Sequence, residues 1–489
     1  MTQTYKEQYR PQFHFSPEEK WLNDPNGMVY FNDEYHLFYQ HHPFGTTWGP
    51  MHWGHAVSKD LIHWDQLPIA LYPDELGGIF SGSAVVDWKN TTGFFENDQP
   101  GLVAIYTSAG TYPDSDRPLQ QQSLAYSKDN GRTWVKFDGN PVLSDVNITD
   151  YRDPKVFWHE ETNKWVMVLA TGQTITIYTS LNLKEWEFAS EFGHTAGSHD
   201  GVWECPDLFK LPVDGGQEKW VMIVSIGDNG ESEEGSRTQY FIGQFDGTTF
   251  LNDHDDSTIL WLDYGRDNYA GVSWSDSQDG RRIYLGWMSN WRYANQVPSE
   301  TWRGAMTLPR ELFLTTTETG IRLFQKPVAE VSKIRKETES YPGTKIDSEN
   351  TVCVPVKNSP LEISIEFEKV NSSQFGFIIQ HSVEEKTIIG YDVTEEKLFV
   401  DRTLSGDHSF SSSFQAVQEA PLKLDHQRLK LQLFLDASSI EVFANDGEIA
   451  ITSLLFPSES AQEIMLFSNE GTTNVLELNV TELDSIWSK

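Results

Sequence analysis

Three short segments set an acid beside a residue that stiffens the backbone: Trp21-Leu22-Asn23-Asp24-Pro25-Asn26-Gly27, Tyr151-Arg152-Asp153-Pro154-Lys155 and Trp203-Glu204-Cys205-Pro206-Asp207. In each, Pro follows the acid at one or two positions, which disfavours helix and fixes φ locally. An acid at a strand end, before a rigid turn, is held in one direction. Two carboxylates held on either side of a glycosidic bond suffice to hydrolyse it: one protonates the leaving oxygen, and the other attacks the anomeric carbon or activates water. Burial or a neighbouring carboxylate would raise the pKa of the proton donor. Each segment alone is also a sound turn sequence, because Asn and Asp accept local hydrogen bonds and Gly takes positive φ. Their occurrence in three separate repeats of the chain favours chemistry over turn-making.

The elements that must position these acids are short strands. Met28-Val29-Tyr30-Phe31, Leu102-Val103-Ala104-Ile105-Tyr106 and Lys164-Trp165-Val166-Met167-Val168-Leu169 are apolar runs bounded by Gly, Asn, Asp or Pro, a strand signature. No helical period is sustained over the first 320 residues or so. A motif in which Ser is followed by Asp or Asn and then Trp recurs at Ser58–Trp64, Ser127–Trp134 and Ser180–Trp186, with a degenerate copy at Asp246–Phe250. One such unit per 50–70 residues or so is the spacing of propeller blades, roughly five of them here. The inner strands of separate blades converge on one channel, where the three acids can meet. From Val352 onward apolar and polar residues alternate, as in Leu361–Phe367, Leu429–Leu435 and Ser439–Phe443, which predicts an antiparallel β-sandwich. The expected organisation is all-β: a five-bladed β-propeller over 1–328, a charged linker with a short helix over 329–350, and a β-sandwich over 351–489 with an accessory role.

Trp21–Gly27, Arg152-Asp153-Pro154 and Glu204-Cys205-Pro206 resemble, in order, the signature boxes of the invertase–levanase–inulinase family, glycoside hydrolase family thirty-two. Trp48–Ala56 and Phe80–Ala84 resemble two more; within the family, Trp48–Ala56 and Gly286–Trp291 look closest to bacterial exo-acting levanases and related β-fructosidases. The resemblance implies a retaining hydrolase that releases terminal β-D-fructofuranosyl units from sucrose, fructo-oligosaccharides, inulin or levan. It implies Asp24 as nucleophile, Glu204 as acid/base and Asp153 as the acid that holds fructose hydroxyls. It gives Asn23, Gln40, Trp48, Phe80, Ser81, Arg152 and Trp287 as the fructose-holding shell, with the three aromatics as apolar walls. An individual Trp in a propeller is more often core than ligand wall; family position alone lifts these above that reading. Leu22 stands where the family often has Met, a swap that conserves volume. No cofactor is implied.

Composition narrows the partners. The net charge of -35 repels nucleic acid and anionic membranes, and argues against a phosphorylated substrate unless a local Arg or Lys overrides it. No run of about 18 apolar residues is present to span a membrane. The amino-terminus has no apolar h-region, which as written predicts a cytoplasmic protein; a secreted protein stripped of its export signal would read the same. Cys205 and Cys353 are expected to be reduced and buried. His41, His42, His52 and His55 cluster in sequence, but no further ligand follows with clear geometry, so no metal is expected. The expected partner is a small or polymeric fructoside, and an exposed sandwich edge offers a surface for a homodimer. The rivals are a fructosyltransferase using the same acids, an inverting five-bladed arabinan hydrolase with more widely spaced carboxyls, and a catalytically inactive fructan-binding propeller.

Overall fold

The computed structural model describes residues 5–96, 99–277, 279–356 and 360–487. Among them no helix is long and apolar enough to cross a membrane. Five antiparallel sheets follow one another along the chain, each running strand to neighbouring strand in sequence order. Their first strands are Lys20–Phe31, Gly78–Val86, Tyr151–His159, Trp203–Pro212 and Tyr269–Ser273. These five pack on one another in a closed circuit, the last against the first. This is the expected five-bladed propeller, with the first strand of each blade lining the axis. The ring is fastened by Trp302–Arg303, which leaves the fifth blade to pair in parallel with Lys20–Phe31 of the first.

The repeated motif is the hairpin between the third and fourth strands of a blade. In blade three, Asn182 and Leu183 donate their N–H groups to Ser180 Oγ, and Lys184 and Glu185 donate theirs to Asn182 Oδ1. Asp60 and Asp129 accept backbone N–H groups in the same way, as does Asp246 in the degenerate copy. The side chain closes the turn that the backbone alone would leave unsatisfied. The closing Trp then ties the turn down: the Nε1 of Trp134 donates to Gly131 O and that of Trp186 to Leu183 O.

Beyond the propeller, two sheets stack as a sandwich around a core of Leu, Ile, Val and Phe that includes Ile363, Phe377, Leu433 and Val442. The segment 329–350, expected to be a linker, holds a 3-10 turn at Ala329–Ile334 and then the strands Arg335–Tyr341 and Thr344–Ile346, both paired with Thr473–Leu483 of the sandwich. The sandwich therefore begins before 351. Arg335–Tyr341 lies at a sheet edge with nearly every residue exposed, so it shows no alternation to read. The second cysteine also departs from expectation. Cys205 is buried, but Cys353 is exposed, because it sits on the edge strand Val352–Pro355 facing away from Val354, which is buried in the core.

Charged side chains are sealed where the sandwich meets the propeller. Arg310 of blade five pairs with Asp263 at 2.9 Å and with Glu441 of the sandwich. Arg402 of the sandwich pairs with Asp267 at 2.5 Å. His14, wholly buried, bridges Asp436 at 2.8 Å and Glu441 at 2.7 Å. Burial alone would discharge this imidazole, but its two carboxylate hydrogen bonds outweigh burial and raise it to about 9. Breaking such a pair strands an uncompensated buried charge.

Arg310→Met is therefore expected to destabilise the protein by about 3–5 kcal/mol, measured by denaturant unfolding. Because His14 is raised above its unfolded value, its contribution is complete below about pH 6.5 and is lost as pH rises through about 9. The melting temperature should fall between pH 7 and pH 10, and His14→Gln should melt lower at pH 7 while losing part of that fall.

Candidate active site

All five inner strands carry a register shift at the same level. It lies between Leu22 and Pro25, Ile79 and Gly82, Arg152 and Lys155, Glu204 and Asp207, and Tyr269 and Val272. A bulge frees two residues from the ladder and re-aims their side chains. The freed pairs are Asn23-Asp24, Phe80-Ser81, Asp153-Pro154, Cys205-Pro206 and Ala270-Gly271. At three of the five, the first freed residue has positive φ: Asp153 at 65°, Cys205 at 45° and Ala270 at 54°. Such strain in non-glycine residues concentrates at functional sites. Gly27, at φ 53°, falls in a second register shift of the first strand, between Asn26 and Val29, where an added Cβ would lie 2.5 Å from Phe38 and 2.8 Å from Trp53.

The bulges bring the three acids together. Asp24 Oδ2 accepts the Ser81 hydroxyl at 2.6 Å, and Oδ1 accepts Asn23 Nδ2 at 2.8 Å. Asn23 is itself fixed by Trp21 Nε1 at 2.6 Å. Asp153 Oδ2 accepts the Cys205 N–H at 3.0 Å, and the Asp153 N–H donates to Thr107 Oγ1. Cys205 Sγ stands 3.6 Å from Oδ2 of both Asp24 and Asp153. Glu204 Oε1 accepts Arg152 Nη2 at 3.0 Å and Nε at 3.2 Å, while Oε2 accepts the hydroxyl of Tyr269. Arg152 is steadied by Asp150 at 2.6 Å and Gln120 at 3.2 Å, and its Nε lies 3.9 Å from Asp153.

Burial dominates the electrostatics of the cluster. Burial pushes Asp24 above the usual carboxylate range; the Ser81 hydrogen bond opposes this and the Glu204 charge adds to it. Burial raises Asp153 as well, Arg152 pulls it down, and Glu204 and Asp24 push it up again, leaving it at about 7. The Cys205 thiol and the Tyr269 phenol are both driven well up, first by burial. Both therefore act as neutral groups within the cluster.

The expected shell divides. Ser81, Asn23 and Arg152 touch the acids directly. Trp48, 48% exposed, meets Phe80 edge-on at 6.1 Å, and the two form a rim. Gln40 is buried and donates Nε2 to Asn26 Oδ1 at 2.7 Å, behind the first bulge. Trp287, expected as a wall, is fully buried against Trp21, Tyr269 and Trp291; Trp291 is the member of that box that lines the open cavity. This cavity of about 480 Å³ is bordered by Arg152, Glu204, Asp228 and Trp291, with His199 and Asn229 further out. Sequence reasoning quoted Cys205 and Trp291 within their boxes but gave them no task, and it missed Tyr269 altogether. Tyr269 holds in blade five the bulge position that Glu204 holds in blade four, so aligning the inner strands blade by blade would have found it. The clustered histidines are engaged locally: His41 with Trp21 O, His42 with Thr47 O, His52 with Pro50 O, and His55 with His36. His52 and His55 lie on opposite faces of their strand.

Comparison with known proteins covers nearly the whole chain. Residues 14–327 match the model of the glycosyl hydrolases family 32 N-terminal domain, and residues 330–482 that of the family 32 C terminal. A levanase from Bacillus subtilis (strain 168) is 52% identical over 492 residues, covering 99% of this chain and 72% of that protein. An extracellular exo-inulinase from Aspergillus awamori is 40% identical over 517 residues, covering 99% of this chain and 96% of that protein. The crystal structure of exo-inulinase from Aspergillus awamori superposes with a TM-score of 0.90 at 39% identity, covering 99% of this chain and 100% of that one.

An acid held at about 7 is a stability cost at neutral pH. The penalty is absent below about pH 4, grows between pH 4 and 7, and is complete above. Asp153→Asn should accordingly be more stable than the wild type at pH 8, by on the order of 2 kcal/mol. Paired thermal melts at pH 8 and pH 4 should show that gap closing at the lower pH.

Proposed function

This chain belongs to glycosyl hydrolase family 32, and from that membership we propose how its acids cleave a fructoside. It is a β-fructofuranosidase of the levanase and exo-inulinase type, acting on fructan and sucrose substrates. In the proposed mechanism a terminal fructofuranosyl ring enters between Trp48, Phe80 and Trp291. Asp24 attacks C2 while Glu204 gives its proton to the departing oxygen, so the C2–O bond breaks as the C2–Asp24 ester forms. Water then attacks C2, Glu204 takes its proton, Asp24 leaves, and configuration is retained. Asp153 accepts hydrogen bonds from the ring hydroxyls in the oxocarbenium-like transition state. Arg152 and Tyr269 grip Glu204 on both oxygens and fix its direction.

The observation that carries this reading is the convergence of Asp24, Asp153 and Glu204 on one level of the propeller axis, with a hydroxyl donor on Asp24 and a guanidinium on Glu204. It supports hydrolysis over a binding-only propeller, because a binding site gains nothing from crowding carboxylates. Exo action is supported by the floor of the channel. Beneath the acids Lys155, Asp207 and Ser273 bond one another, so substrate enters from one mouth only, and the similar exo-inulinase, 40% identical, is named for cleavage from a chain end. A fructan polymer does not cross a cell membrane unaided, which favours the exported form over a cytoplasmic one. The two edges of the six-stranded sandwich sheet, Val352–Pro355 and Val417–Pro421, carry Pro355 and Pro421, which discourages pairing of copies there.

On sucrose, inulin and levan, product chromatograms should show free fructose from the first time point and no internal fragments. Glu204→Gln is expected to lower kcat by about 10²–10⁴-fold with the fold intact by circular dichroism. Ser81→Ala removes a hydrogen bond that favours ionised Asp24, so it should lower kcat/KM about tenfold or more. The acid limb of the pH profile should move upward, because Asp24 must be charged to attack.

A further inference from the structure

The propeller axis has a second mouth. Below the acids, the inner strands present a polar layer in which Lys155 Nζ donates to Ser273 O at 2.5 Å and lies 3.3 Å from Asp207 Oδ2. Asp207 Oδ2 also accepts the N–H and hydroxyl of Ser273. This layer closes the channel. Under it opens a separate cavity of about 490 Å³, reached from the far ends of the inner strands and lined by Trp88, Lys89, Trp158, Asp276 and Arg282 among others.

Its polar groups are unbalanced in one direction. Arg282 engages only Nη1, with Ser273 Oγ at 3.3 Å and Trp274 O at 3.1 Å. Its guanidinium lies 4.9 Å over the Phe209 ring. Lys89 Nζ lies 4.3 Å over the Trp158 ring. Among the described residues no carboxylate stands within ion-pair distance of either cation. Trp158 Nε1 is buried without an acceptor. Two acids share the cavity: Asp276, which already accepts Trp88 Nε1 at 2.9 Å and the Val86 N–H at 3.3 Å, and Glu160, which lies exposed at its rim. Acids outnumber bases by 72 to 37 in this chain, yet two cations here stay without a carboxylate. Away from the rim the unmet groups, on Arg282 and Trp158, are donors. A neutral sugar would bring hydroxyl donors that find a free acceptor only at the rim, on Glu160. A ligand that brings only acceptors and negative charge meets every one.

We propose that this lower mouth is a binding site for a small oxyanion-bearing organic molecule, its oxyanion held by Arg282 and Lys89 and its carbon skeleton against the faces of Trp88 and Trp158. The shared chemistry is a carboxylate or a phosphomonoester. The site is independent of the catalytic acids, from which the Lys155–Asp207 layer divides it.

The test is calorimetric titration of the full chain with citrate, with inorganic phosphate and with neutral sorbitol, at low and moderate salt. Saturable one-to-one binding of citrate or phosphate is expected, weakening as salt rises, with no binding of sorbitol; which anion binds tighter tells carboxylate from phosphate. Arg282→Gln and the exposed Lys89→Glu should each weaken that binding about tenfold or more. Lys89→Glu guards against loss of fold in the buried Arg282 variant. Absence of saturable anion binding up to about 20 mM, or binding that Lys89→Glu leaves unchanged, would overturn the proposal.

Discussion

Carboxylates repel one another, and repulsion grows as water is excluded. Gathering Asp24, Asp153 and Glu204 into one cluster is the demand that shapes the fold around it. The fold meets it with fixed donors: Ser81 and Asn23 on Asp24, the Cys205 amide on Asp153, Arg152 and Tyr269 on Glu204. Each donor comes from a position defined by an inner-strand bulge or its neighbour. The acids are thus held apart in direction, each by donors of its own, so that each can face a substrate from a different side.

Such an arrangement needs a rigid frame, because a shift of about an ångström costs a great deal of rate. The propeller supplies it by circular packing of the inner strands, fastened by the parallel pairing of Lys20–Phe31 with Trp302–Arg303. The sandwich adds buried charges across the junction. Arg310, Glu441, His14 and Asp436 join the amino-terminal segment, blade five and the sandwich in one chain of contacts. Asp263 and Asp267, pinned by Arg310 and Arg402, lead directly into the strand that carries Tyr269. The sandwich thereby braces the strand that carries Tyr269.

Much of this was legible in the sequence because local chemistry fixes it. Ser-x-Asp turns need their side chains at set offsets, so the blades announced themselves at Ser58, Ser127 and Ser180. Pro and Gly beside Asp24, Asp153 and Glu204 marked places where a ladder must break. What escaped was decided by distant partners. Tyr269 reaches Glu204 from another blade, with no signal nearby in the chain. Which of Trp287 and Trp291 faces the cavity depends on their packing with Trp21. Arg335–Tyr341 has both faces wet, so its alternation vanished and it read as linker. Cys353 is exposed because its strand ends a sheet, a fact of pairing rather than of composition.

The most direct measurement is acid-quenching of the enzyme during turnover on sucrose, followed by peptide mass mapping. One added fructosyl unit is expected on the peptide containing Trp21–Gly27, localised to Asp24. A fructosyl adduct on any other side chain, or inverted product formed with no adduct, would contradict it.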